Sequence, residues 1–189
     1  MSNTEYINPQ EENEDKEVFS ENERTTSLEA LKSCFAADPT LEVIGVTEET
    51  GIESVARATA DLSPDIVLLG VKTVDPSTVE KLKVIRENNP AAGIVLISQH
   101  YDATGFGGLR EFSLGASAGY AYLLVNAIDM QEQLAKITSL VKDGRIIVDP
   151  VVMDGLMAPA ESNSNLLSET VLLQSQPWEQ ELLIWMARN

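Results

Sequence analysis

The stretch PDIVLLGVK, residues 64–72, contains a short unbroken apolar run from Ile66 to Leu69. A run of this length next to turn-prone residues predicts a strand that is buried on both faces of a parallel sheet. In such sheets, ligands bind just beyond the carboxyl ends of the strands. Gly70 holds that position and brings no side-chain chemistry. This strand end is therefore either no site at all or a site that lacks its reactive group.

Strands and helices alternate along the chain on both sides of this run. Apolar runs predict strands over 41–46, 66–69, 94–98 and 120–124, and a short segment at Val18-Phe19 is counted as the first strand. Spacing of three and four residues between apolar positions predicts helices over 26–37, 51–62, 77–88, 106–114 and 129–141. Such alternation indicates the α/β class, with a five-stranded parallel sheet and helices on both faces.

The composition is strongly acidic. The chain of 189 residues has 30 Asp and Glu against 13 Lys and Arg, a net charge of -17. Residues 1–16 are polar and acidic and predict a disordered tail. A surface of this charge repels nucleic acid phosphates and anionic membranes, and the sequence shows no cluster of basic residues. With no apolar run long enough for a membrane and no signal segment, a cytoplasmic protein is expected.

Residues 17–143 form the predicted α/β domain, and a different organisation follows. Residues 144–174 are predicted to be a linker that contains a short helix from Val151 to Met157. Residues 175–189 are predicted to be a helix capped by Ser175, with Trp178, Leu182 and Trp185 on one face. The single cysteine, Cys34, excludes an internal disulfide and a multi-cysteine metal site.

Five segments together resemble the receiver domain of two-component response regulators, and the NarL/FixJ (LuxR-type) subgroup in particular. They are LEAL (28–31), DPTLEVIG (38–45), PDIVLL (64–69), IVLIS (94–98) and LGAS (114–117). The resemblance implies a receiver-like, flavodoxin-like fold over about residues 17–143. The stretch from Ser175 resembles the opening helix of that family's DNA-binding helix-turn-helix domain, which implies a truncated helix-turn-helix over residues 175–189.

The same resemblance implies that the phosphorylation site is degenerate. In typical receivers the residue that matches Gly70 is the aspartate that accepts a phosphoryl group, and the position of Val125 holds a lysine. The acidic pair that binds Mg²⁺ matches Asn22 and Glu23, and the hydroxyl position is kept as Ser98. Glycine cannot form an acyl phosphate and valine cannot hold a phosphoryl oxygen. The chain is therefore predicted to be a pseudo-receiver without a metal or cofactor.

Several of these positions also have purely structural interpretations. Ser98 is interpreted as a strand-end residue that bonds nearby backbone, rather than as a remnant of a switch. Tyr122 matches the family's switch aromatic, and the alternative is a structural tyrosine. His100, the only histidine, is interpreted as a solvated loop residue.

The resulting hypothesis is a phosphorylation-independent response-regulator-like protein that is not an enzyme. It would act in transcriptional regulation through contacts with a second copy or another regulatory protein, and would reach DNA only through a helix-turn-helix beyond residue 189. One alternative is an adaptor that docks a partner on an exposed face of Trp178, Leu182, Trp185 and Met186. Another is a receiver fold that senses a small ligand in the space left by the missing Gly70 side chain.

Overall fold

A computed structural model of the chain describes residues 41–47, 51–101, 103–125, 133–158 and 182–188, together with Ser33, Phe35 and Pro39. Its strands are β1 (Leu41–Thr47), β2 (Ile66–Val74), β3 (Gly93–Tyr101), β4 (Tyr120–Leu124), β5 (Ile146–Val148) and β6 (Leu182–Arg188). Its helices are α1 (Ile52–Leu62), α2 (Pro76–Asn88), α3 (Ala103–Leu114), α4 (Leu134–Lys142) and α5 (Pro150–Met157). The α/β class is therefore confirmed.

The six strands form one sheet in the order β1-β6-β2-β3-β4-β5. The pairs β2–β3, β3–β4 and β4–β5 are parallel, whereas β6 runs antiparallel to both β1 and β2. The prediction of five parallel strands is wrong in number and in order. The predicted first strand at Val18-Phe19 lies outside the described residues, as do most residues of the predicted helix at 26–37.

The largest correction concerns the end of the chain. Residues 182–188 were predicted to be part of a helix, and they form strand β6 in the interior of the sheet. Leu183 and Trp185 pack into one apolar cluster, and Ile184 and Met186 into the other. This alternation is the two-residue period of a strand buried on both faces. Residues 182–188 are therefore not part of the predicted first helix of a helix-turn-helix domain. The rest of that predicted helix, residues 175–181, lies outside the described part of the chain.

Helices cover both faces of the sheet, as predicted. On one face, α1, α2, α3 and α5 contribute Val55, Leu82, Leu109 and Val152 to a cluster with the alternate residues of the strands. On the other face, Leu134 and Val141 of α4 pack with Phe35 and the remaining strand residues. Burial of apolar surface on both sides of the central strands is the main force that holds this fold together.

Local sequence signals explain where several helices begin and end. Asp75 caps α2 by accepting a hydrogen bond from the Thr78 backbone N–H at 2.8 Å, and Pro76 occupies the first helical position. Asp149 and Pro150 begin α5 in the same way. Gly144 follows α4 with a φ of 80°, a left-handed conformation that favours glycine.

The segment predicted as the start of a linker belongs partly to the folded domain. The short helix is confirmed as α5, but the residues before it, Ile146–Val148, form β5 at the edge of the sheet. Gly119 lies just before β4 and lets the end of α4 pack closely against it, because a Cβ at Gly119 would collide with the backbone carbonyl of Val141. Among the described helices, none combines the length and the apolar content needed to cross a bilayer.

Candidate functional site

Gly70 lies in the middle of a strand and not at its end. The strand predicted to stop at Leu69 continues to Val74, so that Gly70 is the fifth of nine residues in β2. It pairs with Ile97 of β3 on one side and with Leu182 of β6 on the other. The residues that follow it, VKTV, include three β-branched residues that favour extended backbone. The backbone at the position matched to the phosphoacceptor is therefore enclosed between two strands.

Ser98 is fully buried, and its hydroxyl bonds to backbone. The Oγ atom lies 2.6 Å from the carbonyl oxygen of His100 and 3.2 Å from that of Lys72, and it accepts a bond from the His100 N–H. The register places Ser98 opposite Val71, one residue beyond Gly70. Since successive strand residues face opposite sides, Ser98 and Gly70 point to different faces of the sheet. The bonds to backbone agree with the structural interpretation of Ser98, but its predicted place at a strand end is wrong, because Ser98 is the sixth of the nine residues of β3.

Val125 follows β4 and is buried. It packs in the apolar cluster of the α4 face with Leu123 and Leu134. A lysine here would bring an unpaired charge into that cluster, at a high cost in free energy. The residues matched to the acidic pair, Asn22 and Glu23, lie outside the described part of the chain.

Asp75 is the carboxylate nearest in sequence to the end of β2, and it is occupied by its capping role. Its Oδ1 atom accepts bonds from the hydroxyls of Ser77 and Thr78 as well as from the Thr78 backbone. Burial acts to raise the pKa of Asp75, but these bonds, together with the charge of Lys81, hold it below its ordinary value. The carboxylate stabilises α2 and is not directed toward Gly70.

Tyr122 is buried under α3. Its hydroxyl lies 3.0 Å from the hydroxyl of Ser113, and its ring stacks on Tyr120 with centroids 4.8 Å apart. Burial raises the pKa of Tyr122 well above its ordinary value, although the hydrogen bond with Ser113 and the charge of Arg86 act to lower it. The tyrosine is neutral, and its contacts are those of a structural residue with one polar partner.

The face proposed for partner docking is closed. Trp185 is 2% exposed and Met186 is fully buried, since both lie in β6 between β1 and β2. Leu182 pairs with Gly70 at the start of the same strand, and Trp178 lies outside the described residues. The prediction that Trp185 and Met186 belong to an exposed face is therefore wrong, because it assumed helical spacing for a segment that forms a strand.

A groove between α2 and α3 was not predicted from the sequence. It has a volume of about 250 Å³ and is lined by Lys83, Arg86, Glu87, Glu111, Phe112 and Gly115. The α2 residues share a helix face through their three- and four-residue spacing, but only the packing of α2 on α3 brings the two sets together. No sequence motif could have identified this combination. The groove contains none of the residues matched to the phosphorylation site.

Within the described residues, no group of three or more His, Cys, Asp or Glu side chains is placed to hold a metal ion. Comparison of the chain with protein-family models, curated proteins and solved structures found no match. The resemblance to receivers therefore rests on the sequence segments, and the structure adds an α/β fold with a mostly parallel sheet.

Proposed function

We propose that this chain is a phosphorylation-independent, receiver-like regulatory protein of the NarL/FixJ type that acts through protein–protein contacts. The proposal rests on the side chains and contacts at the three described positions that match the receiver phosphorylation site. Gly70 has no carboxylate and sits inside the sheet, Ser98 bonds to backbone, and Val125 is packed among apolar side chains. Gly70 and Val125 lack the carboxylate and the ammonium group that phosphoryl transfer needs, and the hydroxyl that is kept at Ser98 is bonded to backbone.

The test of this proposal is incubation with acetyl phosphate and Mg²⁺, followed by measurement of the intact mass. We expect no phosphoryl adduct, while a receiver that keeps its aspartate and lysine gains one in the same reaction. A hydroxylamine-labile adduct on this chain would contradict the proposal, because such an adduct indicates an acyl phosphate. Light scattering of the unmodified protein then tests whether it associates with a second copy.

A second candidate function is that of an adaptor without DNA binding. It is favoured by β6, because the segment that resembled the first helix of a DNA-binding domain fills an interior position of the sheet. The net charge of -17 also opposes binding to phosphates. Titration of the chain with duplex DNA at low salt tests this candidate: sequence-selective binding would contradict the adaptor.

A further inference from the structure

The groove between α2 and α3 combines both signs of charge with an aromatic floor. Lys83, Arg86 and Glu87 come from α2, and Glu111 and Phe112 come from α3. At about 250 Å³ the groove is smaller than the roughly 300–1,000 Å³ of sites for drug-sized ligands. Its size therefore suits a small metabolite better than a folded partner.

Arg86 has a fixed orientation and two unused hydrogen-bond donors. Its Nη1 atom donates to the carbonyl oxygens of Pro90, at 3.0 Å, and Ala92, at 2.9 Å, and its guanidinium carbon lies 5.6 Å from the centre of the Phe112 ring. The Nε and Nη2 groups are buried and have no acceptor among the described residues. A buried donor without an acceptor is costly, and a ligand that supplies the acceptor removes that cost.

The two unused donors define which acceptor fits. Nε and Nη2 lie on one edge of the planar guanidinium, where two parallel N–H groups match the two oxygens of a carboxylate. Because neighbouring atoms cover both groups, a carboxylate that enters from the groove reaches them only after a shift of the side chains around the guanidinium. That shift gives a local signal of binding.

The acidic residues of the groove define the second half of the ligand. Glu87 and Glu111 are exposed and form no ion pair in the described part of the chain. They oppose a ligand that is only anionic and attract an ammonium group held a few ångströms from the carboxylate. Phe112 offers apolar surface in the same groove.

We propose that this groove binds a free α-amino acid with an apolar side chain. Arg86 holds the carboxylate through Nε and Nη2, Glu87 and Glu111 attract the ammonium group, and the side chain packs on Phe112. The site is independent of the matched phosphorylation positions, and it would give the protein a chemical input that needs no phosphoryl transfer.

Binding is measured on the full chain by thermal unfolding and by amide resonances, with L-leucine and L-phenylalanine as probes. We expect a concentration-dependent rise in the melting temperature and shifted resonances at Phe112 and Gly115. 4-Methylpentanoate lacks the ammonium group of leucine, and 3-methylbutylamine lacks its carboxylate. Both should bind at least tenfold more weakly than leucine. No response to either amino acid, or equal binding of 4-methylpentanoate, would overturn the proposal.

Glu111→Gln tests the site without disturbing Arg86, which also supports the backbone of Pro90 and Ala92. This exposed substitution should weaken binding of leucine at least tenfold and leave the fold intact. The matched control is Glu80→Gln, which removes the same charge from an exposed α2 position outside the groove. Equal effects of the two variants would mean that only overall charge matters, and the proposed site would be rejected.

Discussion

Gly70 and Leu182 are the last residues paired between β2 and β6, and beyond them β2 pairs with β3 alone in the described sheet. The flavodoxin-like order 2-1-3-4-5 places the first strand of the chain between the second and third strands. In this sheet, the strand between β1 and β2 is β6, which follows all the other described strands in the sequence and runs antiparallel to both neighbours. In the described sheet, β1 is connected to the remaining strands only through β6.

A proline at Ile184 should therefore disrupt the sheet. Ile184 is fully buried and pairs with Val46 on β1 and with Leu68 on β2. Proline removes a backbone N–H and is not tolerated in an interior strand. We expect Ile184→Pro to lower the free energy of unfolding by about 3 kcal/mol or more, as measured by urea denaturation followed by circular dichroism.

Ile184→Val is the control for this substitution, because it keeps the backbone bond and removes one methylene. It should cost about 0.5–1.5 kcal/mol, with little loss of hydrogen-exchange protection in β1. If the proline variant were as stable as the unmodified chain, β6 could not lie inside the sheet.

The contrast between β2 and β6 shows what the sequence could predict. Residues 66–69 are a short apolar run between turn-prone segments, and no helical spacing competed with the prediction of a buried strand. Residues 182–187 are also an unbroken apolar run, but Trp178, Leu182 and Trp185 fall at the spacing of a helix face. Short apolar runs fit both structures, and the pairing partners that decide between them are distant in sequence. The same holds for the groove, whose two sides meet only after α2 packs on α3.

Gly155 is required by the close approach of α5 to α3. A Cβ at this position would collide with the ring of Phe106, and that ring is stacked on the buried Tyr101 with centroids 5.7 Å apart. Because the ring cannot move freely, Gly155→Ala should destabilise the protein by about 1–3 kcal/mol in urea denaturation.

Gly107→Ala is the matched control in α3. It lies at an exposed helical position, and a Cβ there would have no atom within 4 Å. Alanine loses less backbone entropy on folding than glycine, so this variant should be more stable by about 0.5–1 kcal/mol. Equal effects of the two substitutions would contradict the described packing of α5.

Arg110 should fix the end of α5. Its Nε and Nη2 atoms donate to the carbonyl oxygens of Leu156 and Ala158, both at 2.6 Å. These carbonyls lie at the end of α5, where no described backbone N–H follows to pair with them, and a positive charge is favourable at a helix C-terminus. Arg110→Ala should cost about 1–2 kcal/mol and increase hydrogen exchange in α5. Arg57→Ala, at an exposed position of α1, should have no such effect, and unchanged exchange in the Arg110 variant would contradict the proposed contact.

Tyr101 and Tyr122, which are both buried, should make the protein sensitive to alkali. Burial raises the pKa of Tyr101 and of Tyr122 well above the ordinary value, with smaller contributions from neighbouring groups. The unfolded chain loses these protons near pH 10 while the folded chain retains them, about 10 being the ordinary tyrosine pKa. The unfolded state then binds fewer protons, so that the contribution of these two tyrosines to stability is constant below that pH and falls above it.

Urea denaturation at increasing pH measures this loss, which should reach about 1.4 kcal/mol per pH unit for each buried tyrosine. Tyr101→Phe removes one of the two groups and should reduce the slope accordingly. At neutral pH the same variant should cost about 0.5–1.5 kcal/mol, because the Tyr101 hydroxyl donates to the carbonyl oxygen of Leu123 at 3.2 Å. If phenolate absorbance showed all tyrosines titrating near pH 10 while the fold persisted, the burial of Tyr101 and Tyr122 would be contradicted.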